Sequence, residues 1–110
     1  MKIVVDKKNG VTILHLKGNL DADTVAPFKR QAYQLVEEGC VQLVMDCQTL
    51  DFIDSMGLGA LISLLRRVRT HAGDVKVCAL SKDVYSVFEI TRLHRLFDIL
   101  PDWQTALSKF

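Results

Sequence analysis

Across its 110 residues the chain has no apolar stretch long enough to cross a bilayer, no cysteine framework and no surplus of either charge. Each absence excludes a class. Met1-Lys2-Ile3-Val4-Val5-Asp6 carries one basic residue and a short apolar run broken by charge, which fits neither a signal peptide nor a membrane span, so a cytoplasmic protein is expected. Fourteen Lys and Arg against thirteen Asp and Glu leave a formal net charge of +1, too little to hold a nucleic-acid backbone. Cys40, Cys47 and Cys78 are odd in number and lack C-x-x-C spacing, so they read as buried reduced thiols in or beside strands. His15, His71 and His94 have no cysteine or carboxylate at ligand spacing, which argues against zinc. No Ser/His/Asp set, Cys/His pair or pair of carboxylates with room for a substrate can be assembled, so neither an enzyme nor a bound cofactor is expected. Two prolines and six glycines act as punctuation, with no linker, repeat or low-complexity tract.

What is present is patterned apolar sequence. At 49% hydrophobic residues, a chain of this length forms one domain that buries about two thirds of its unfolded surface. Lys2 to Lys8 and Val11 to Lys17 are β-branched runs separated by Asn9-Gly10, a strong two-residue hairpin signal. In the second run Thr12, Leu14 and Leu16 oppose Val11, Ile13 and His15, so both faces should be covered and His15 should be a partly buried strand residue. Gly18-Asn19-Leu20-Asp21 is expected to end that strand. Asp21 or Asp23 can cap a helix with the stripe Val25, Phe28, Ala32, Leu35 and Val36, with Pro27 in its first turn and Gly39 closing it.

Val41 to Met45 reads as a short strand that delivers Asp46 to its carboxyl end. A second helix is expected from about Met56 to His71, capped by the Ser55 hydroxyl, on the spacing of Leu58, Leu61, Ile62, Leu65 and Val68. Arg66, Arg67 and Arg69 then complement its negative end. Val75 to Leu80 is another strand, Ser81 caps a short helix to about Ile90, and the segment from His94 breaks at Pro101 and restarts behind Asp102. Strand and helix alternating after a hairpin give an α/β fold with parallel crossovers and helices laid on a mixed sheet. Gly57 and Gly59 suit close helix–sheet approach better than phosphate contact, since a lone G-x-G is a weak phosphate signal.

The order of elements, the Gly18-Asn19-Leu20-Asp21 turn, and above all Asp54-Ser55-Met56-Gly57-Leu58-Gly59 resemble the anti-sigma factor antagonist family, or STAS domain. The family pattern there is Asp, Ser, Ser or Thr, Gly, an aliphatic residue, and Gly or Ala. Lys76-Val77-Cys78-Ala79-Leu80 and Val87-Phe88-Glu89-Ile90-Thr91 are similar to its C-terminal half. The resemblance covers nearly the whole chain and implies a single STAS-like domain over residues 1–110. It also implies a regulatory module whose partner is an anti-sigma factor or another kinase-like protein. In switching members that partner phosphorylates the second hydroxyl residue of the motif, and the phosphoprotein dissociates. Met56 stands at that position and has no hydroxyl, so the usual switch residue is missing and binding should persist.

The partner-binding region implied is Asp21, Asp54, Ser55, Met56, Gly57 and Leu58, with Ser55 or Thr49 as alternative phosphoacceptors. Met56 either meets the partner directly or packs against the preceding loop, and Asp21 and Asp54 either shape the switch electrostatics or serve as cap and turn residues. A STAS scaffold or subunit of a transporter or stress-signalling assembly is the alternative function, and self-association stays open. A remote third reading is a receiver-like phosphoacceptor domain built on Asp46 with Asp51 and Asp54, whose strand-end carboxylates could hold a divalent cation.

Overall fold

The computed structural model describes residues 1–110. Its elements in chain order are β1 (Lys2–Lys8), β2 (Val11–Leu20), α1 (Val25–Glu37), β3 (Gln42–Ile53), α2 (Ser55–Arg69), β4 (Asp74–Cys78), α3 (Lys82–Ile90), a 3-10 turn at Leu93–Arg95, β5 (Asp98–Leu100) and α4 (Trp103–Leu107). The strands form one mixed sheet in the order β1-β2-β3-β4-β5, antiparallel between β1 and β2 and parallel thereafter.

Each parallel crossover advances one strand in the same direction, and right-handed crossovers that all advance the same way lay their helices on one face. The larger core accordingly joins Phe28 and Ala32 of α1, Leu61 and Leu65 of α2, and Val84 and Phe88 of α3 to Leu14, Leu16, Leu43, Met45 and Val77 of the sheet. The other face would be bare but for α4, whose Ala106, with Trp103 and Leu107 beside it, packs on Val11, Ile13, Val44 and Cys78. Both faces of β2 are thus covered, as its two apolar sets require.

Local signals placed several boundaries. Asn9 (φ +55°) and Gly10 (φ +78°) have the paired positive φ of a type I′ turn, and Lys8 faces Val11 across it. At the end of α1 the Gly39 N–H donates to the Val36 carbonyl and the Cys40 N–H to the Leu35 carbonyl, the double bond of a Schellman motif. Ser81 accepts the Val84 N–H at the start of α3, and Asp102 accepts the Thr105 N–H at the start of α4.

Four expectations need correction. β2 does not stop at Gly18. That residue, at φ +104°, sits where the β2–β3 register shifts, and the bulge lets pairing continue to Leu20 opposite Ile53. β3 likewise runs on from Met45 to Ile53, so Asp46 is a mid-strand residue rather than a strand end. Its buried carboxylate lies 2.6 Å from His15 Nδ1, while His15 Nε2 lies 3.0 Å from Asp6. His15 is therefore the partly buried strand residue expected, and it makes a polar break in β3 tolerable. α1 begins at Val25 behind Thr24, with no side-chain cap from Asp21 or Asp23. β5 was not anticipated, and Asp98 on it completes an ion-pair set with Lys76 (2.7 Å) and Asp74 (3.1 Å from the same ammonium) on the α4 side of the sheet.

Candidate functional site

The carboxyl ends of β2 and β3 lie side by side, and the turns leaving them form the corner where the motif residues sit. After β2, the Asp21 carbonyl accepts the N–H groups of Thr24 and Val25, and its Oδ1 accepts the Asp23 N–H at 3.0 Å. Thr24 Oγ1 accepts the Asp21 N–H at 3.0 Å and donates to the Asn19 carbonyl at 2.8 Å. Asp21 thus shapes a tight turn, an Asx arrangement in which a short carboxylate stands in for a backbone acceptor.

After β3 the helix cap is Asp54, not Ser55. Asp54 is extended (φ −110°, ψ −174°), and its Oδ1 accepts the Gly57 N–H at 2.9 Å, satisfying one of the amides left free at the start of α2. Its Oδ2 accepts the Ala22 N–H at 3.0 Å, and its own N–H donates to the Leu20 carbonyl at 3.3 Å. One carboxylate therefore caps α2 and anchors the turn after β2. Ser55 becomes the first helical residue, exposed, with its hydroxyl engaged in no hydrogen bond to the protein.

Gly57 is required by close approach. A Cβ there would stand 2.3 Å from the Leu20 carbonyl oxygen and 2.8 Å from Ile53 Cγ1. Gly59 has no such reason, because it is exposed and a Cβ would meet nothing within 4 Å. Leu58, expected in the partner-binding region, is only 6% exposed and belongs to the core, so it positions the helix instead of presenting a surface.

The apolar atoms facing solvent here come from Met56, 54% exposed, and Phe52, 51% exposed. Phe52 also lines a cleft of about 200 Å³ between the end of β3 and α3, together with Ile53, Val84, Val87 and the carboxylates Asp51 and Asp83. The cleft, Phe52 and Asp83 were not signalled by sequence reasoning. Only the packing of α3 beside β3 creates a groove there. The surrounding segments carry Asp21, Asp23, Asp51, Asp54 and Asp83. The segments that meet here thus expose two large apolar side chains and several carboxylates, with no histidine or cysteine among the residues named.

The remaining candidates lie elsewhere. Thr49 is on β3 and its hydroxyl donates to the Leu16 carbonyl at 2.8 Å, a strand-to-strand bond. Asp46 pairs with His15 opposite Cys78, five residues of extended chain or about 16 Å from Asp51, so the structure does not bring the three receiver-type carboxylates together. Cys47 and Cys78 are buried, and desolvation raises both thiols, Cys78 to about 12, with Asp46 adding to the effect.

Comparison with known proteins places this geometry. BtrV of Bordetella bronchiseptica, a candidate anti-sigma factor antagonist, is 27% identical over 110 residues, covering 100% of this chain and 95% of its own. Among solved structures, a candidate anti-sigma factor antagonist of Thermotoga maritima superposes with a TM-score of 0.93 at 19% identity, covering 97% of this chain and 92% of that one. The phosphorylated form of the Bacillus cell-fate determinant SpoIIAA superposes with a TM-score of 0.77 at 18% identity, covering 98% of each chain. No helix is long and apolar enough to cross a membrane. The STAS domain family model matches residues 2–106, and the chain belongs to the STAS domain family, with anti-sigma factor antagonists among its relatives.

Proposed function

We propose that this STAS domain is a non-enzymatic cytoplasmic binding module that captures a kinase-like anti-sigma factor through the corner formed by the β2–α1 turn and the start of α2. The observation that carries the proposal is Met56: a large apolar side chain, 54% exposed in the first turn of a helix whose cap is already satisfied by Asp54. An exposed thioether is an adaptable contact for another protein. The carboxylates of these segments, Asp21, Asp23, Asp51, Asp54 and Asp83, suit a partner that brings Arg or Lys around an apolar centre and steers the encounter electrostatically.

In this reading Met56 occupies the place where phosphorylated relatives carry a hydroxyl. A phosphate in the first turn of a helix is tolerated by the domain itself, since the helix end favours an anion by about 0.3–1 kcal/mol. Its effect falls on the complex. About −1.5 to −2 of charge added beside the Asp54 carboxylate and pressed against a partner opposes association by like-charge repulsion and desolvation. A thioether cannot receive that charge, so the domain stays in its binding form. Ser55 is the alternative acceptor, and its exposed, unengaged hydroxyl makes it chemically accessible.

The test offers the wild-type protein and Met56→Ser to the kinase-like anti-sigma factor of the same host with ATP, with binding followed by calorimetry and phosphate located by mass spectrometry. Both proteins should bind, and only Met56→Ser should be phosphorylated at residue 56 and released. Phosphate on Ser55 of the wild type with loss of the complex would overturn the permanent-binding reading, and failure of the wild type to bind any such factor would remove the assignment.

A further inference from the structure

β1 is an edge strand, with β2 on one side and no strand on the other. Lys8 and Val11 flank a two-residue type I′ turn and so exchange hydrogen bonds, and with the alternation of an antiparallel ladder Lys8, Asp6, Val4 and Lys2 all bond inward to β2. The N–H and C=O groups of Ile3, Val5 and Lys7 therefore point outward with no strand to receive them. Such an edge is a template for another strand unless its side chains forbid it.

We infer that β1 pairs with β1 of a second copy of this chain, antiparallel about a two-fold axis at Val4, joining two five-stranded sheets into one. The register follows from two conditions. Outward-bonding residues must face outward-bonding residues, which requires the axis to pass through a residue rather than between two. The facing side chains must also be compatible. An axis at Val5 sets Lys2 against Lys8 and an axis at Asp6 sets two aspartates together, both like-charge contacts, while an axis at Ile3 sets Lys2 against Val4 and leaves Asp6, Lys7 and Lys8 of the strand unpaired. With the axis at Val4, Ile3 and Val5 exchange hydrogen bonds with the partner's Val5 and Ile3, Val4 meets its own copy, and Lys2 faces Asp6 twice over.

Those Val4 and Lys2–Asp6 contacts fall at the closely spaced, non-hydrogen-bonded positions, where side chains interact most directly. Val4 is 48% exposed, an apolar side chain left uncovered on the α4 side of the sheet, and Asp6 is half exposed even while it contacts His15. On the opposite face a groove of about 320 Å³ opens beside Ile3, bounded by Met1, Pro27 and Phe28, next to where the partner's Val5 would lie. The lysines that would guard this edge are disarmed by the register: Lys2 is paired, Lys7 stands opposite Met1, and Lys8 lies outside the paired residues.

The test is sedimentation of the full chain over a concentration series to about 1 mM, together with mild oxidation of a Val4→Cys variant. Twice the mass of the chain at high concentration is expected, and Val4→Cys should cross-link to a dimer, since non-hydrogen-bonded pairs hold Cα atoms about 4.5 Å apart, within disulfide reach. Val5→Pro removes an outward N–H without touching the β2 ladder, so it should leave the far-ultraviolet circular dichroism intact and raise the dimer dissociation constant at least about tenfold. Lys2→Asp sets like charges together and should weaken the dimer in the same direction. A single-chain mass throughout with no Val4→Cys cross-link, or a dimer unaffected by both Val5→Pro and Lys2→Asp, would overturn the inference.

Discussion

The Asp54 carboxylate accepts the backbone N–H of Ala22 at 3.0 Å, across 32 residues of sequence, while its other oxygen caps α2 through Gly57. The two turns of the candidate corner are thereby held by one side chain. Replacing Asp54 by Ala should cost about 1–2 kcal/mol for the cap alone, and more because the Ala22 amide also loses its partner. Asp54→Asn can keep its carbonyl oxygen on Gly57, but its amide group then faces the Ala22 N–H, donor to donor. Urea denaturation should rank wild type above Asp54→Asn above Asp54→Ala.

Gly57 and Gly59 should respond in opposite senses to the same change. Gly57→Ala drives a Cβ into the Leu20 carbonyl and should destabilise by about 1–3 kcal/mol, as overpacked sites do. Gly59→Ala has open space in a helix interior and should stabilise by roughly 0.5–1 kcal/mol. Partner affinity separates the roles further. If Gly59 lies under the partner, the stabler variant should bind more weakly, which calorimetry on the purified pair would read.

The three thiols should divide by burial. Contrary to the burial expected of all three, Cys40 is partly exposed in the turn after α1, whereas Cys47 and Cys78 are buried with thiols raised chiefly by desolvation. A maleimide or aromatic disulfide reagent near neutral pH should label one thiol per native chain and three after denaturation, counted by intact mass. Rapid native labelling of Cys78 would contradict the packing of α4 over it.

Lys76 makes stability fall in alkali. Burial alone would lower its pKa, but hydrogen bonds to Asp98 and Asp74 outweigh that and hold it above the ordinary lysine value. A group raised in the folded state contributes stability that is complete below its unfolded value of about 10.4 and is lost as pH rises through the folded value. The wild type should therefore lose more stability than Lys76→Met above about pH 10, measured as the difference between their urea midpoints. Parallel curves would show that the ion-pair set contributes nothing to the alkaline limb.

Local chemistry was legible wherever neighbours in sequence settle it. Asn9-Gly10 demanded its hairpin, Ser81 and Asp102 capped the helices they precede, and Gly39 closed α1. The apolar stripes of α1 and α2 likewise declared their buried faces. The site was legible in part. Asp54, Ser55 and Met56 do gather at one corner, but Ser55 was assigned the cap that Asp54 makes, since either residue type can serve and the deciding contact, Ala22, is remote. The polar run Asp46 to Thr49 hid the length of β3, because the partners that accommodate it, His15 and the Leu16 carbonyl, lie on another strand.

By itself, then, the amino-acid order determined the alternation of strands and helices, the turn types and which face each helix buries, all consequences of short-range sterics and of 2.0 and 3.6 residue periodicity. Only the tertiary structure decided that Asp54 joins two turns, that Phe52 stands beside a cleft, and that α4 closes the second face of the sheet. Those outcomes depend on hydrogen bonds and contacts between groups tens of residues apart, whose partners exist only once the parallel strands are in register.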